Sequence, residues 1–263
     1  MQQFFPLPLR VALRVLRYQV AALVAASIIG GGPWTFNADA ATFTVEPTQI
    51  AFSNRTTSVL LTLRNESTDT LRFELSVFKW AQSPSGEMQL EPTEDIVFFP
   101  ALLTLAPGES RRVRVGSATE FDTREKTYRI FVEELPPLDR QTSGVRVLTK
   151  MGIPIFMKPA KELATANLTN LGQKSGKFFF TLINEGTVHF VPQDIRVRGF
   201  AGSTAAVDTR LDGWYILAGG RRDFDIAFPA AECSRITSVT VDVQLGSESL
   251  QERLQTPNGV CSR

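Results

Sequence analysis

Beyond residue 40, no run of ten or more residues places apolar side chains at the 3.6-residue period of a helix, which argues against a helical core. The chain carries instead short runs of β-branched, aromatic and aliphatic residues separated by Asn, Gly, Pro, Ser and Asp. Seven of them, at 42–52, 58–64, 71–80, 96–105, 110–115, 128–135 and 145–157, have the number and spacing of an immunoglobulin-like sandwich. A less regular set at 164–170, 177–184, 194–199, 208–211, 214–217, 223–228 and 238–245 predicts a second, smaller sandwich. The seam falls near Pro159-Ala-Lys161. Turns at Ala106-Pro-Gly-Glu109 and Ala218-Gly-Gly220 read as hairpin connections. The expected fold class is all-β, two immunoglobulin-like β-sandwich domains covering 41–159 and 160–263.

Residues 1–40 read as a secretory signal. Arg10, Arg14 and Arg17 make a basic start, Val20 to Ile29 an apolar run, and Ala38-Asp-Ala40 the small residues a signal peptidase needs, with cleavage after Ala40. The apolar run stops at Gly30-Gly-Gly-Pro33, at about half the roughly 20 residues required to span a bilayer. An exported protein, with no stable membrane insertion after cleavage, is expected. Removing three arginines and Asp39 leaves 25 basic against 26 acidic residues. That balance gives no electrostatic footprint for nucleic acid. Cys233 and Cys261 both survive cleavage, and in an oxidising compartment they are expected to form a disulfide. The closed loop of about 28 residues corresponds to roughly 3 kcal/mol in the chain-entropy model. Two thiols without a nearby histidine make a metal site the weaker alternative.

Residues 128–133 alternate strictly, with Tyr128, Ile130 and Val132 on one face and Arg129, Phe131 and Glu133 on the other. After a short connection Val145, Val147, Thr149 and Met151 project from one side of the next strand. Such a row on an edge strand is an aggregation hazard unless something covers it. No catalytic constellation accompanies it. The single histidine, His189, lies between Val188 and Phe190 without a Ser or Cys motif and reads as a structural residue. Glu133 and Glu134 are adjacent on a strand, so they point to opposite faces and do not flank one bond. Neither enzyme activity, cofactor nor metal is expected.

Several blocks together resemble the periplasmic chaperones of the chaperone-usher pathway, the PapD-like family. They are Val45-Glu-Pro-Thr48, Leu61-Thr-Leu-Arg-Asn65, Phe78-Lys-Trp80, Pro92 to Val97, Phe99-Pro100, Leu105-Ala-Pro-Gly108, Val113-Arg-Val115, Tyr128-Arg129, Glu133-Glu-Leu-Pro-Pro137 and Ile153 to Pro159. Asn184-Glu-Gly186 and Gly213 to Gly219 fit more loosely. The resemblance implies a boomerang of two immunoglobulin-like domains. It also implies a chaperone that binds pilus or fimbrial subunits by donor-strand complementation and delivers them to an outer-membrane usher. The donor side chains would be Val145, Val147 and Thr149, with Met151 a fourth, and the segment around Gln49 to Phe52 would border the groove. A structural or adhesive sandwich of a surface fibre is the alternative.

The chain departs from the family where its best-studied members hold the terminal carboxylate of their cargo. Gln49 and Pro154 stand where an Arg and a Lys are usual, and neither carries a positive charge. The Tyr128-Arg129 pair and the short connection from Pro137 to Gly144 are more like the archaic, divergent branch. Arg129 is therefore expected to anchor the C-terminus of the bound subunit, helped by Lys150 or Lys158. The alternative is a structural Arg129 paired with Glu133 or a carboxylate of the second domain.

Overall fold

The computed structural model describes residues 42–138, 146–174, 176–246 and 248–256. The expected signal segment, Val145 and Cys261 lie outside them.

The first core is enclosed by two sheets. Strands β1 (Phe43–Glu46), β3 (Ser58–Asn65), β8 (Ser110–Ser117) and β6 (Ile96–Phe99) form one sheet in the order β1-β3-β8-β6. The other runs β2 (Ile50–Phe52), β10 (Lys150–Met157), β9 (Lys126–Leu135), β4 (Leu71–Gln82) and β5 (Met88–Pro92), with β7 (Leu102–Leu105) also paired to β4. Alternation decides which side chains fill the space between them: Leu61, Leu63, Val113 and Val115 from one sheet, and Tyr128, Ile130, Val132, Ile153 and Ile155 from the other, are buried. The Tyr128 hydroxyl donates to Asp95 Oδ2 at 2.8 Å, and burial pushes its pKa up.

Two expected strands are each broken in two, at Pro47 and at Pro100. Proline has no N–H for a ladder, so the chain leaves one sheet there and enters the other. The turn at Ala106–Glu109 consequently connects β7 and β8 in different sheets and is not a hairpin. Its Gly108 has φ +72°, and Asn65 closes the corner, its Nδ2 donating to the carbonyls of Leu105 at 3.0 Å and Asp69 at 2.7 Å.

The second core lies between β11 (Ala166–Lys174), β12 (Lys177–Asn184) and β15 (Arg221–Ala227) on one side and β14 (Thr204–Leu211), β13 (Asp194–Ala201), β16 (Ser238–Leu245) and β17 (Glu248–Gln255) on the other. Phe178, Phe180, Leu182, Val197, Val239 and Val241 fill it. Strand β17 is not among the expected strands, because Glu248-Ser-Leu-Gln-Glu-Arg-Leu-Gln255 is largely polar and exposed. It is held as the outer partner of β16 through backbone pairing from Ser238↔Gln255 to Leu245↔Glu248. Residues 214–217, expected as a strand, make only the isolated bridge Phe190↔Ile216. Gly219 therefore turns out of an irregular arm into β15, with φ +71°, and not between paired strands. A four-residue helix, α1 (Ala230–Cys233), ends in fully buried Cys233.

Candidate functional site

Strand β10 is paired to β9 along its whole length, from Lys150↔Glu133 to Met157↔Lys126, but to β2 only from Ile155 to Met157. Between Lys150 and Pro154 its outer edge has no strand partner among the described residues. The backbone of even-numbered residues faces that edge: the Lys158 N–H reaches Phe52 O at 3.0 Å on the β2 side, whereas Thr149 O accepts from Glu134 N at 2.9 Å on the β9 side. Lys150 and Gly152 thus turn their N–H and C=O groups to the open edge. Pro154, lacking an N–H, sits where the missing donor breaks no bond to β9.

The same end of the edge carries an uncompensated cation. Arg129, opposite Pro154, is 7% exposed and lies on the face of β9 turned away from the first core. Its guanidinium stacks 4.2 Å from the centroid of Trp80, which is itself buried, and Nη1 donates to the Gly152 carbonyl at 3.4 Å. Arg129 Nε and Trp80 Nε1 are buried donors without an acceptor. Burial lowers the Arg129 pKa, yet a guanidinium keeps its proton. Among the described residues no carboxylate pairs with it, and Glu133, the partner weighed from sequence, bonds Lys150 at 2.7 Å instead. A buried charge without a counterion is costly, and an arriving carboxylate removes that cost. Gly152 keeps the place open: a Cβ there would lie 2.8 Å from the Phe131 ring and 3.4 Å from Arg129 Nη1.

An arm of the second sandwich, residues 213–217, packs against the same face. Trp80, Phe156 and Leu217 form a small buried cluster with Tyr215 against it. The side-chain amide of Gln82 grips the arm from both sides, donating to Tyr215 O at 2.7 Å and accepting from Leu217 N at 3.2 Å. Beside this cluster His189 stacks on Phe156 at 3.7 Å, and its Nδ1 bonds Glu125 Oε1 at 2.6 Å. The lone histidine is a structural tie between the sandwiches. Trp214, at 42% exposure, stands edge-on to Tyr215 and 5.7 Å from the Arg129 guanidinium.

The remaining sequence-derived candidates are spread out. Val147 is 54% exposed, Thr149 is half-buried, and Met151 packs against the first core, so it is a core residue as well as an edge residue. Lys150 lies at the far end of the open edge over Phe131, while Lys158 lies past β10 and pairs with Glu162 at 2.8 Å. The structure does not bring the two lysines together with Arg129. Gln49 is exposed and Pro154 buried. What sequence reasoning missed is the setting of Arg129: Trp80, Gly152 and the arm bearing Trp214. Their signal was faint, a glycine interrupting an apolar run and a tryptophan in each of two weak blocks.

Residues 42–162 match the family model for the pili and flagellar-assembly chaperone, PapD N-terminal domain. No curated protein sequence matches the chain. Among solved structures it is similar to the CsuC-CsuE chaperone-tip adhesion subunit pre-assembly complex from the archaic chaperone-usher Csu pili of Acinetobacter baumannii. That match has a TM-score of 0.57 at 18% identity, covering 81% of this chain and 97% of that one. It is also similar to the E. coli chaperone DraB, with a TM-score of 0.53, 17% identity and coverage of 82% and 98%. The Salmonella enterica SafA pilin in complex with the SafB chaperone matches with a TM-score of 0.52 at 13% identity, covering 82% and 98%. At such identities the likeness is one of fold.

Proposed function

We propose, from the match of residues 42–162 to the pilus-assembly chaperone family and from the geometry of the site, that this chain is a periplasmic carrier lending a β-strand to fibre subunits. One observation carries the reading: the edge of β10 from Lys150 to Pro154, unpaired among the described residues, ends at a buried guanidinium with no counterion among them. Backbone groups of Lys150 and Gly152 supply ladder bonds, and Arg129 supplies the charge that a free C-terminus seeks. The geometry also sets direction. A strand whose carboxylate reaches Arg129 while lying along this edge runs parallel to β10 and stops where β2 begins, opposite Ile155. Its body then passes the segment from Val145 to Met151, whose apolar side chains enter the subunit's unfinished core. Burying three of them at roughly 1.5 kcal/mol each, before ordering costs, suits a cargo that is handed on, here to an outer-membrane usher. Thr149 is the less apolar donor.

Co-expression in a periplasm with a subunit lacking its last strand tests the reading. A soluble one-to-one complex is expected, and Val147→Asp, at an already exposed position, is expected to abolish it while leaving the melting temperature of the chaperone unchanged. Recovery of subunit undiminished by Val147→Asp rules out strand donation. A component of the fibre itself would instead be recovered as polymers.

The domain division at 159/160, cleavage after Ala40 and the Cys233–Cys261 bridge belong to the same proposal. Cys233 is fully buried at the end of α1. Exported protein unfolded without reductant is expected to show no reactive thiol and to begin at Ala41. Two titratable thiols would reject the bridge.

A further inference from the structure

We propose that Trp214 selects the last side chain of the bound strand, so that the site prefers a free C-terminus ending in an aromatic residue. The inference rests on the Arg129 anchor and adds to it a specificity the charge alone does not confer. One exposed apolar residue is ordinary on any surface. Trp214 differs in what lies beside it. Its ring centroid is 5.7 Å from Arg129 Cζ, and the Trp80 centroid is 4.2 Å from the same atom, so the cation has two indoles within reach. Trp80 is buried, whereas Trp214 leaves 42% of its surface to solvent at the one end of the open edge where the incoming strand must stop.

The arm holds the indole there firmly. Gly213 lies so close to the chain at Pro192 that a Cβ would sit 1.9 Å from its carbonyl oxygen. Tyr215, edge-on to Trp214 at 5.3 Å, is pinned in turn by Gln82. A rigid aromatic wall beside a charge-binding point recognises a flat side chain attached to the carboxylate-bearing residue, because stacking adds contact area at little ordering cost. Gly152 contributes the room: with no side chain of its own, it leaves the space above Phe131 and Arg129 Nη1 to the arriving terminus.

The test uses the mature full-length protein and short acetylated peptides of alternating valine and threonine, ending in Phe, in Ala, or in Phe with an amidated C-terminus. Affinity is read by calorimetry and by quenching of tryptophan emission. The Phe-ended peptide is expected to bind about tenfold more tightly than the Ala-ended one. Trp214→Ala should erase that difference, and Trp214→Phe should restore part of it. Equal affinity for Phe and Ala ends, with amidation still weakening binding, overturns the role of Trp214 and leaves the anchor standing. Indifference to amidation overturns the Arg129 anchor itself. Binding of none of the peptides overturns the edge-pairing reading on which both depend.

Discussion

On the proposed function, replacing Arg129 with methionine should leave a protein that is at least as stable as the parent and yet captures a fibre subunit on the order of 10- to 100-fold less well. The two halves of that outcome come from one fact. The guanidinium is 7% exposed, carries buried Nε without an acceptor, and has no carboxylate partner among the described residues. In the free protein its charge is a desolvated group stabilised mainly by the Trp80 face and one long bond to Gly152. An apolar side chain of similar length keeps the packing on Trp80 and removes the burial cost, so Tm should hold or rise. In the complex the balance reverses. A charge-assisted bond to a carboxylate contributes about 1.5–3 kcal/mol, and its loss gives the expected drop in capture. Arg129→Lys should recover little, because an ammonium neither stacks on the indole nor offers a planar fork. The measurements are thermal denaturation of the free variant and subunit recovered with it from the periplasm. A Tm that falls by several degrees with capture unchanged would mean that Arg129 is structural and that the subunit terminus is held elsewhere.

The sequence shows where the two sandwiches lie because apolar alternation is a local property: Tyr128, Ile130 and Val132 announce their shared face within six residues, and all are buried in the first core. It misplaces elements where a non-local partner decides. Strand β17 is polar and becomes a strand only because β16 offers it an edge, whereas 214–217 looks like a strand and is instead held by the Gln82 amide and one bridge to Phe190. The site divides in the same way. Arg129 is marked by its place in an alternating run and by the charge missing at Gln49 and Pro154. That it lies near both Trp80 and Trp214, 134 positions apart in sequence, follows only from the packing of two sandwiches, for which no periodicity exists. Lys150 and Lys158 show how little charge and register fix by themselves. Both are near Arg129 in the register of neighbouring strands and both carry the right charge, but strand rise sets them at opposite ends of β10, each beside its own glutamate.

Because that packing is what assembles the site, the most damaging small substitution should lie outside the strand proposed to meet the subunit. Gly213→Ala adds one methyl group, 1.9 Å from the Pro192 carbonyl oxygen. Backbone, unlike the end of a long side chain, has no rotamer by which to yield. The arm must therefore move, and with it Trp214, Tyr215 and the two Gln82 bonds that tie the arm to β4. Overpacking of this kind costs roughly 1–3 kcal/mol and more where backbone is displaced. Near-ultraviolet dichroism and tryptophan emission should change along with stability, since the edge-on Trp80–Tyr215 contact at 5.3 Å and Trp214–Tyr215 contact at 5.3 Å both depend on the arm. Gly202→Ala provides the control within the same sandwich. Its φ of +65° makes any side chain strained, at about 1 kcal/mol, but a Cβ there meets nothing within 4 Å. That variant should lose a little stability and keep its spectra and its subunit. Gly213→Ala should lose all three, because displacing the arm takes one wall from the Arg129 site and loosens the tie that presents it. If Gly213→Ala instead matches Gly202→Ala in melting temperature, spectra and capture, the arm yields at no cost and the second sandwich contributes nothing to holding a subunit terminus.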